Sequence, residues 1–284
     1  MQTRTIVGLA VVSCALIGCK PDAPAATAAE SSAETPAAPQ QVVIHARDFA
    51  FDAPDTITSG VTTIKLMNEG PDLHHVQLVR LEEGHTFEEL MAAMANPGPP
   101  PAWAVDVGGP NTPVPGGESS ATIDLQPGNH VMICFIPAPD GQMHVMKGMS
   151  RPITVIPAAA SAAMPVAQVE MTLSDYTFTT NVPLTAGVQV VNVTNAAAQA
   201  HEVLVVKLEP GKTVEDVVRF IEKPEGPPPG APIGGTTAIR TGGTNQITLD
   251  LAAGGDYAFI CFIPDAKDGK PHVMHGMSKQ FKIS

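Results

Sequence analysis

The sequence has few aromatic and few basic side chains, and both shortages narrow the possible folds and functions. Aromatic residues make up 4% of its 284 residues, whereas glycine and proline number 25 and 28. Apolar residues at helical spacing are scarce, so the composition favours β-sandwiches with long loops over a helical bundle. Lys and Arg number 16 against 28 Asp and Glu, a net charge of −12. Because nucleic acid would repel such a chain, we expect no nucleic-acid partner.

Sequence motifs of several common enzyme classes are also missing. The chain has no Gly-x-Ser-x-Gly nucleophile motif, no phosphate-binding loop and no cysteine pairs at zinc-site spacing. The sequence therefore gives no indication of a serine hydrolase, a nucleotide-binding enzyme or a zinc protein.

The N-terminus predicts export. Arg4 precedes an apolar run over residues 6–17, which is too short to span a bilayer and is typical of a signal peptide. The run ends in Leu-Ile-Gly-Cys, which resembles the lipobox of bacterial lipoproteins and implies lipidation of Cys19. An ordinary signal peptide with a chance cysteine is the alternative. Lys20 favours the outer membrane, so we expect a lipid anchor at the periplasmic face of the cell envelope or at the cell surface.

An internal repeat organises the rest of the chain. Residues 133–137 and 260–264 both read Ile-Cys-Phe-Ile-Pro, and His-Val-Met-x-Gly-Met recurs at 144–149 and 272–277. The predicted organisation is a signal peptide (1–18), a Pro/Ala-rich tether (19–40), domain 1 (41–156), a linker (157–167) and domain 2 (168–284).

The sequence of each repeat predicts a series of short strands with one helix. Runs of alternating or β-branched residues predict the strands, and Thr86-x-x-Glu89 and Thr213-x-x-Asp216 are typical helix starts. We therefore predict an all-β protein of two tandem Greek-key β-sandwiches, each with a short helical insertion.

Two of the four cysteines fall within the repeats. Cys14 lies in the signal peptide and Cys19 at the lipidation site, which leaves Cys134 and Cys261 at equivalent positions. A disulfide between them and buried inert thiols are two alternatives. The residues that follow each cysteine favour a third, a metal site.

A histidine and a methionine follow each cysteine at matched spacing, and another histidine precedes it. The predicted donors are His74, Cys134, His144 and Met149 in domain 1, and His201, Cys261, His272 and Met277 in domain 2. A thiolate, two imidazoles and a weak thioether form the donor set of blue-copper sites. The thiolate suits Cu(I) and the imidazoles suit Cu(II), so such a site is typical of electron transfer.

These motifs resemble those of the cupredoxins. The Cys-to-His-to-Met loop is most similar to the type 1 copper loop of copper nitrite reductases, and Asn-x5-His resembles the upstream ligand segment. The resemblance implies a cupredoxin-like fold, one copper per domain, and His74 rather than His75 as a ligand. It also implies that Asn68 and Asn195 lie behind the ligands and tie the ligand loops together.

Other possible donors lie near these residues. Met146 and Met274 compete with Met149 and Met277 for the axial position, and Met143 and His275 also flank the ligand histidines. His45, His85 and His130 have no ligand counterpart in the other repeat, and we expect them to be surface or structural residues.

The residues next to each cysteine bear on whether the chain is an enzyme. In the copper nitrite reductases and multicopper oxidases that these motifs resemble, histidines lie next to the copper-binding cysteine. In this chain isoleucine and phenylalanine flank both cysteines. We therefore expect the chain not to be an enzyme.

Three functional hypotheses follow from these observations. Electron transfer to a redox partner protein is the first hypothesis. Copper storage, delivery or resistance, with a copper donor or acceptor as partner, is the second. A metal-free structural or interaction module is the third.

Overall fold

The computed structural model describes residues 2–3, 38–96, 98 and 100–284. Cys19 and nearly all of the predicted signal peptide and tether lie outside the described residues. Residues Pro36–Ser284 form one compact unit that contains both repeats. None of the helices within the described part of the chain has the length and hydrophobicity needed to cross a membrane.

The first repeat contains nine strands and one α-helix, all between residues 40 and 156. They are β1 (Gln40–Arg47), β2 (Ala50–Asp52), β3 (Thr56–Thr58), β4 (Gly60–Asn68), β5 (Gln77–Leu81), α1 (Phe87–Met94), β6 (Ala104–Gly108), β7 (Glu118–Leu125), β8 (Gly128–Ile133) and β9 (Ser150–Ile156). A 3₁₀ helix, His144–Lys147, lies between β8 and β9.

The second repeat contains eight strands and one α-helix. They are β10 (Val169–Ser174), β11 (Thr177–Thr180), β12 (Gly187–Asn195), β13 (His201–Leu208), α2 (Val214–Glu222), β14 (Gly230–Ile239), β15 (Thr244–Leu251), β16 (Asp256–Ile260) and β17 (Ser278–Lys282). The 3₁₀ helix His272–His275 precedes β17. The second repeat therefore matches the first element by element, apart from β3.

Alternation of buried and exposed residues explains the sandwich in each repeat. In β1, Val42, Ile44 and Ala46 are buried while their neighbours are more exposed, as the two-residue period of a strand requires. In each repeat one cluster of apolar residues fills the space between the two sheets and includes the cysteine, and a smaller cluster packs under the helix. The predicted all-β class with a short helical insertion in each half is confirmed.

The two helices begin with the capping boxes that the sequence predicts. The hydroxyl of Thr86 accepts a hydrogen bond from the Glu89 amide, and the Glu89 carboxylate accepts one from the Thr86 amide. Thr213 and Asp216 repeat the arrangement at α2. Each box satisfies two backbone donors that the helix itself leaves free.

Both sheets run continuously through the two repeats. One has the order β11-β10-β12-β15-β7-β4-β1-β2, and the other β17-β16-β13-β14-β6-β5-β8-β9-β3. The repeats meet at β7–β15, where Ala121 lies opposite Ile247, and just after β6, where Pro110 lies opposite Thr236 of β14. Since both contacts pair equivalent positions, a pseudo-two-fold axis relates the repeats. The same axis relates the two predicted metal sites.

Candidate metal centres

The three nitrogen and sulfur donors predicted in domain 1 converge. His74 lies in the loop before β5, Cys134 directly follows β8, and His144 begins the 3₁₀ helix. Nδ1 of His144 lies 3.5 Å from Sγ of Cys134 and 3.2 Å from Nδ1 of His74. All three side chains are fully buried.

Domain 2 repeats this arrangement. Sγ of Cys261 lies 3.4 Å from Nδ1 of His272 and 3.8 Å from Nδ1 of His201. All three side chains are again fully buried. In both domains the ligand atoms of these three residues lie within 4.8 Å of one another.

Backbone hydrogen bonds close the loop that carries the cysteine and the second histidine. The Cys134 amide donates to the Met149 carbonyl at 3.1 Å, and the Met149 amide donates to the His144 carbonyl at 2.9 Å. Cys261, Met277 and His272 form the same two bonds at 3.3 and 3.0 Å. These bonds bring residues distant in sequence together.

Burial separates the candidate axial methionines. Met149 and Met277 are fully buried and pack in the same core clusters as Cys134 and Cys261, respectively. Met146 is 59% exposed, and Met143 and Met274 are exposed as well. The buried pair is therefore the better placed for an axial role.

An aspartate orients the first histidine of each site. Nε2 of His74 lies 2.7 Å from Oδ1 of Asp48, and Nε2 of His201 lies 3.1 Å from Oδ1 of Asp175. With the proton on Nε2 donated to the carboxylate, the lone pair of Nδ1 faces the cysteine. A carboxylate behind a ligand histidine is a common arrangement in metal sites.

An aromatic ring covers the second histidine of each site. The Phe49 ring lies edge-on to His144 at a centroid distance of 4.9 Å, and the Tyr176 ring lies edge-on to His272 at 5.5 Å. Our sequence analysis missed these rings and the two aspartates. Their signal is the matched Asp-Phe-Ala-Phe and Asp-Tyr-Thr-Phe that begin at Asp48 and Asp175.

The two predicted asparagines brace the upstream ligand loop. The Asn68 amide donates to the Asp72 and Pro113 carbonyls at 2.9 and 3.4 Å. The Asn195 amide donates to the Gln199 and Ile239 carbonyls at 2.9 and 2.8 Å. Each asparagine thus joins the loop before the first histidine to the strand or loop on the domain interface.

The residue after the first histidine differs between the sites. In domain 1 it is His75, whose Nε2 accepts from the Phe135 amide at 2.9 Å. In domain 2 it is Glu202, whose Oε1 accepts from the Phe262 amide at 2.9 Å. Oε2 of Glu202 accepts from the Asn111 amide of domain 1 at 3.1 Å, so this contact joins the domains.

Burial favours the neutral form of three of the ligand imidazoles and the protonated form of both thiols. It lowers the pKa of His144, His201 and, to about 4, His272, and neutral imidazole is the form that binds metals. Burial also raises the pKa of the Cys134 thiol to about 11, and burial with the nearby Glu202 raises that of Cys261 further. A metal ion that binds here must therefore displace the thiol proton.

The donor spacing fits a metal ion. Donors bonded to one ion at about 2.0–2.3 Å lie about 3–4 Å apart, and the distances here run from 3.2 to 3.8 Å. One thiolate with two imidazoles and a buried methionine is the set that copper takes in blue-copper sites. The alternative of a disulfide between the domains does not hold, since both thiols are free.

The other histidines lie apart from these donors. His45 pairs with Glu69 and His85 with Glu89 at the surface. His130 is buried in β8, where its Nδ1 donates to the Gly128 carbonyl at 3.2 Å. His275 pairs with Asp268 on the surface loop beside domain 2's site.

Solved structures resemble this chain, although no protein-family model and no curated protein matches it. Dithionite-reduced auracyanin from the photosynthetic bacterium Roseiflexus castenholzii covers 43% of this chain and 100% of its own at 23% identity, with a TM-score of 0.29. The copper-containing nitrite reductase of Thermus scotoductus covers 87% and 62% at 13% identity, with a TM-score of 0.25. The blue copper oxidase of Nitrosomonas europaea covers 87% and 86% at 14% identity, with a TM-score of 0.27. These likenesses concern the fold alone. The predicted all-β sandwich architecture agrees with the two sheets described above.

The prediction that the chain is not an enzyme is wrong. The structures similar to this chain include a copper nitrite reductase and oxidases, which are enzymes. Our prediction depended on the residues next to Cys134 and Cys261 in sequence. Metal ligands are brought together by the fold and need not be neighbours in sequence, so those positions do not exclude a class of enzyme.

Proposed function

We propose that this chain is a copper protein with one type 1 copper site in each domain and that it transfers electrons. The observation that carries this proposal is the convergence of one thiol and two imidazole Nδ1 atoms within 4.8 Å in each domain. Nothing of comparable chemistry is repeated elsewhere among the described residues.

The proposed ligands are the eight residues identified above. When bound, copper would supply a one-electron couple between Cu(I) and Cu(II). The protein's part is to hold the donors in place and to exclude water. Asp48 and Asp175 fix two imidazoles, the loop hydrogen bonds fix the cysteine and methionine backbones, and burial keeps all eight side chains from solvent.

Metal analysis with an optical spectrum tests this proposal. We expect two coppers per chain and an intense visible band from thiolate-to-Cu(II) charge transfer. Cys134→Ser and Cys261→Ser should each lose the band of one site and keep that of the other. A colourless protein with stoichiometric Cu(II) would contradict the type 1 assignment, and a protein that takes up no copper would contradict the metal site.

Copper storage or delivery is a second candidate, which the exposed methionines favour. Met143 and Met146 flank His144, and Met274 follows His272 by two residues, so thioethers face solvent beside both sites. Thioethers select Cu(I). This candidate expects tight Cu(I) binding without a reversible redox wave at an electrode, whereas electron transfer requires that wave.

We also propose that the protein is exported and held by lipid on Cys19, on the periplasmic face of the envelope or at the cell surface. The support is the signal-like N-terminus and the Leu-Ile-Gly-Cys motif. A Cys19→Ala variant should pass from the detergent-soluble membrane fraction to the aqueous fraction. Its partner would be a redox protein or a copper donor or acceptor in the same compartment.

A further inference from the structure

The two sites differ in the acidic groups around their histidines. Nε2 of His272 lies 3.8 Å from Oδ2 of Asp265. Nε2 of the equivalent His144 is buried, and neither of these two Nε2 atoms has a hydrogen-bond partner. No carboxylate of the described residues pairs with His144 within 4 Å, and Asp72 and Asp48 act on it from farther away. Domain 2 therefore has a carboxylate within 4 Å of each ligand histidine, whereas domain 1 has one within that distance of His74 only.

This difference results from a single position in the repeat. Asp265 of domain 2 corresponds to Ala138 of domain 1, because both directly follow the proline of Ile-Cys-Phe-Ile-Pro. Its carboxylate accepts hydrogen bonds from the Tyr176 hydroxyl at 2.5 Å, the Gln199 amide at 3.0 Å and the Lys267 amide at 2.8 Å. These donors hold the pKa of Asp265 well below its usual range, so the group is a carboxylate at neutral pH.

The neighbouring surface pair does not account for this difference. Asp268 and His275 lie close to Asp265, and the three together resemble a metal-binding cluster. Domain 1, however, has the corresponding ion pair between Asp140 and Lys147. Asp268 and His275 therefore represent a surface pair common to both domains.

A second acidic group adds to the asymmetry. Glu202 occupies the place that His75 has in domain 1, and its amide donates to Sγ of Cys261 at 3.5 Å. Its side chain is buried, and the residue directly follows the ligand His201 in sequence.

Negative charge beside a metal ion favours the more highly charged oxidation state. Cu(II) gains more than Cu(I) from a nearby carboxylate, so the reduction potential falls. We propose that the negative charge of Asp265 gives the domain 2 site the lower reduction potential. Electrons would then pass from the domain 2 site to the domain 1 site. This inference rests on the proposed function.

The domain interface joins the surroundings of the two sites. Asn111 of domain 1 donates to Glu202, the neighbour of His201. Thr237 of domain 2 donates to the Val76 carbonyl at 3.2 Å, two residues from His74. Hydrogen bonds therefore cross the interface in both directions next to the ligands.

Redox titration of single-site variants of the full chain tests the inference. Cys134→Ser leaves the domain 2 site, and Cys261→Ser leaves the domain 1 site; each is loaded with copper and followed through its visible band. At one solution potential we expect the Cu(II)/Cu(I) ratio of the domain 2 site to be at least tenfold higher than that of the domain 1 site. For a one-electron couple this ratio corresponds to a reduction potential about 59 mV lower in domain 2.

Three further variants assign the difference to Asp265. Asp265→Asn keeps a hydrogen-bond acceptor without the charge and should lower the Cu(II)/Cu(I) ratio of the domain 2 site several-fold. Ala138→Asp should raise that of the domain 1 site, and Asp268→Asn, which removes a charge from the same loop, should leave domain 2 unchanged.

Two results overturn the inference while leaving the proposed function intact. One is equal potentials at two blue sites. The other is an Asp265→Asn site that stays blue with an unchanged potential. Failure of both single-site variants to take up copper would instead refute the proposed function, and the inference with it.

Discussion

Oδ1 of Asp48 lies 2.7 Å from Nε2 of His74 and thereby turns Nδ1 of this histidine toward Cys134 and His144. Asp175 does the same for His201 at 3.1 Å. The two aspartates occupy the turn between the first two strands of each repeat, so a residue some 26 positions upstream of the histidine sets its tautomer.

Removing this carboxylate should weaken copper binding at one site only. We expect Asp48→Ala to reduce the copper affinity of domain 1 by about 10- to 100-fold, as loss of such a partner does in other metal sites. Competition with a chelator of known affinity measures the change in the Cys261→Ser background. Asp52→Asn, an exposed change in the following strand, is the control, and an unaltered affinity in Asp48→Ala would show that Asp48 does not orient the ligand.

The cross-domain hydrogen bond from Asn111 to Glu202 should contribute to stability. Asn111→Ala leaves Oε2 of a buried glutamate without its donor, and an unsatisfied buried group costs about 1–3 kcal/mol. Chemical denaturation of the metal-free protein measures the loss of unfolding free energy.

A double-mutant cycle with Glu202→Ala separates this contact from other effects of the substitutions. We expect a coupling energy of about 0.5–3 kcal/mol between the two positions. Asn96→Ala serves as the comparison. The side-chain amide of Asn96 lies at an exposed helix end and donates to the Ala92 carbonyl. Additive effects of Asn111→Ala and Glu202→Ala would argue against the contact.

Much of the fold could be predicted from the repeat and the strand pattern. The helices begin at the capping boxes that the sequence indicates, and the cysteine and two ligand histidines of each repeat converge. Local spacing specifies the loop of each site, because its cysteine, histidine and methionine lie within 17 residues of one another. The upstream histidine lies 60 residues before the cysteine, and the repeated Asn-x5-His segment indicates it.

The surroundings of the sites could not be predicted in the same way. Asp48 contacts His74, 26 positions away, and Phe49 contacts His144, 95 positions away. Asn111 donates across the domain interface. The local sequence pattern therefore does not predict these contacts. The continuous sheets arise from pairing between repeats, which depends on edge strands meeting in space. Comparison of the two repeats at Asp48 and Asp175 was the available signal.

Burial predicts which methionine of domain 1 is the axial ligand. Met149→Leu removes a buried thioether and should raise the reduction potential of this site, because an apolar side chain supports Cu(II) less well. The exchange conserves volume and should cost less than about 1.5 kcal/mol of stability. Met146→Leu, at a position 59% exposed, should leave potential and spectrum unchanged. The opposite pattern would transfer the axial role to Met146. Both are measured in the Cys261→Ser background.

His130 should make the metal-free protein less stable in acid. Burial lowers its pKa to about 4, against about 6.5 in an unfolded chain, and the charge of Arg80 on the neighbouring strand acts in the same direction. Between these two values the unfolded chain binds the proton and the folded chain does not. Unfolding free energy therefore falls as pH decreases from about 6.5 to about 4, by up to about 3 kcal/mol.

A substitution isolates this effect from the other titrating groups. His130→Leu removes the ionisable ring from β8 and its hydrogen bond to Gly128, so it should cost about 1 kcal/mol at pH 7.5 by loss of that bond. The difference in unfolding free energy between variant and wild type should then change in favour of the variant as the pH is lowered, because only the wild type loses stability through this histidine. Urea titrations of both proteins at several pH values give that difference. A difference that stays constant from pH 7.5 to pH 4.5 would show that His130 takes up its proton as readily in the folded protein as in the unfolded chain.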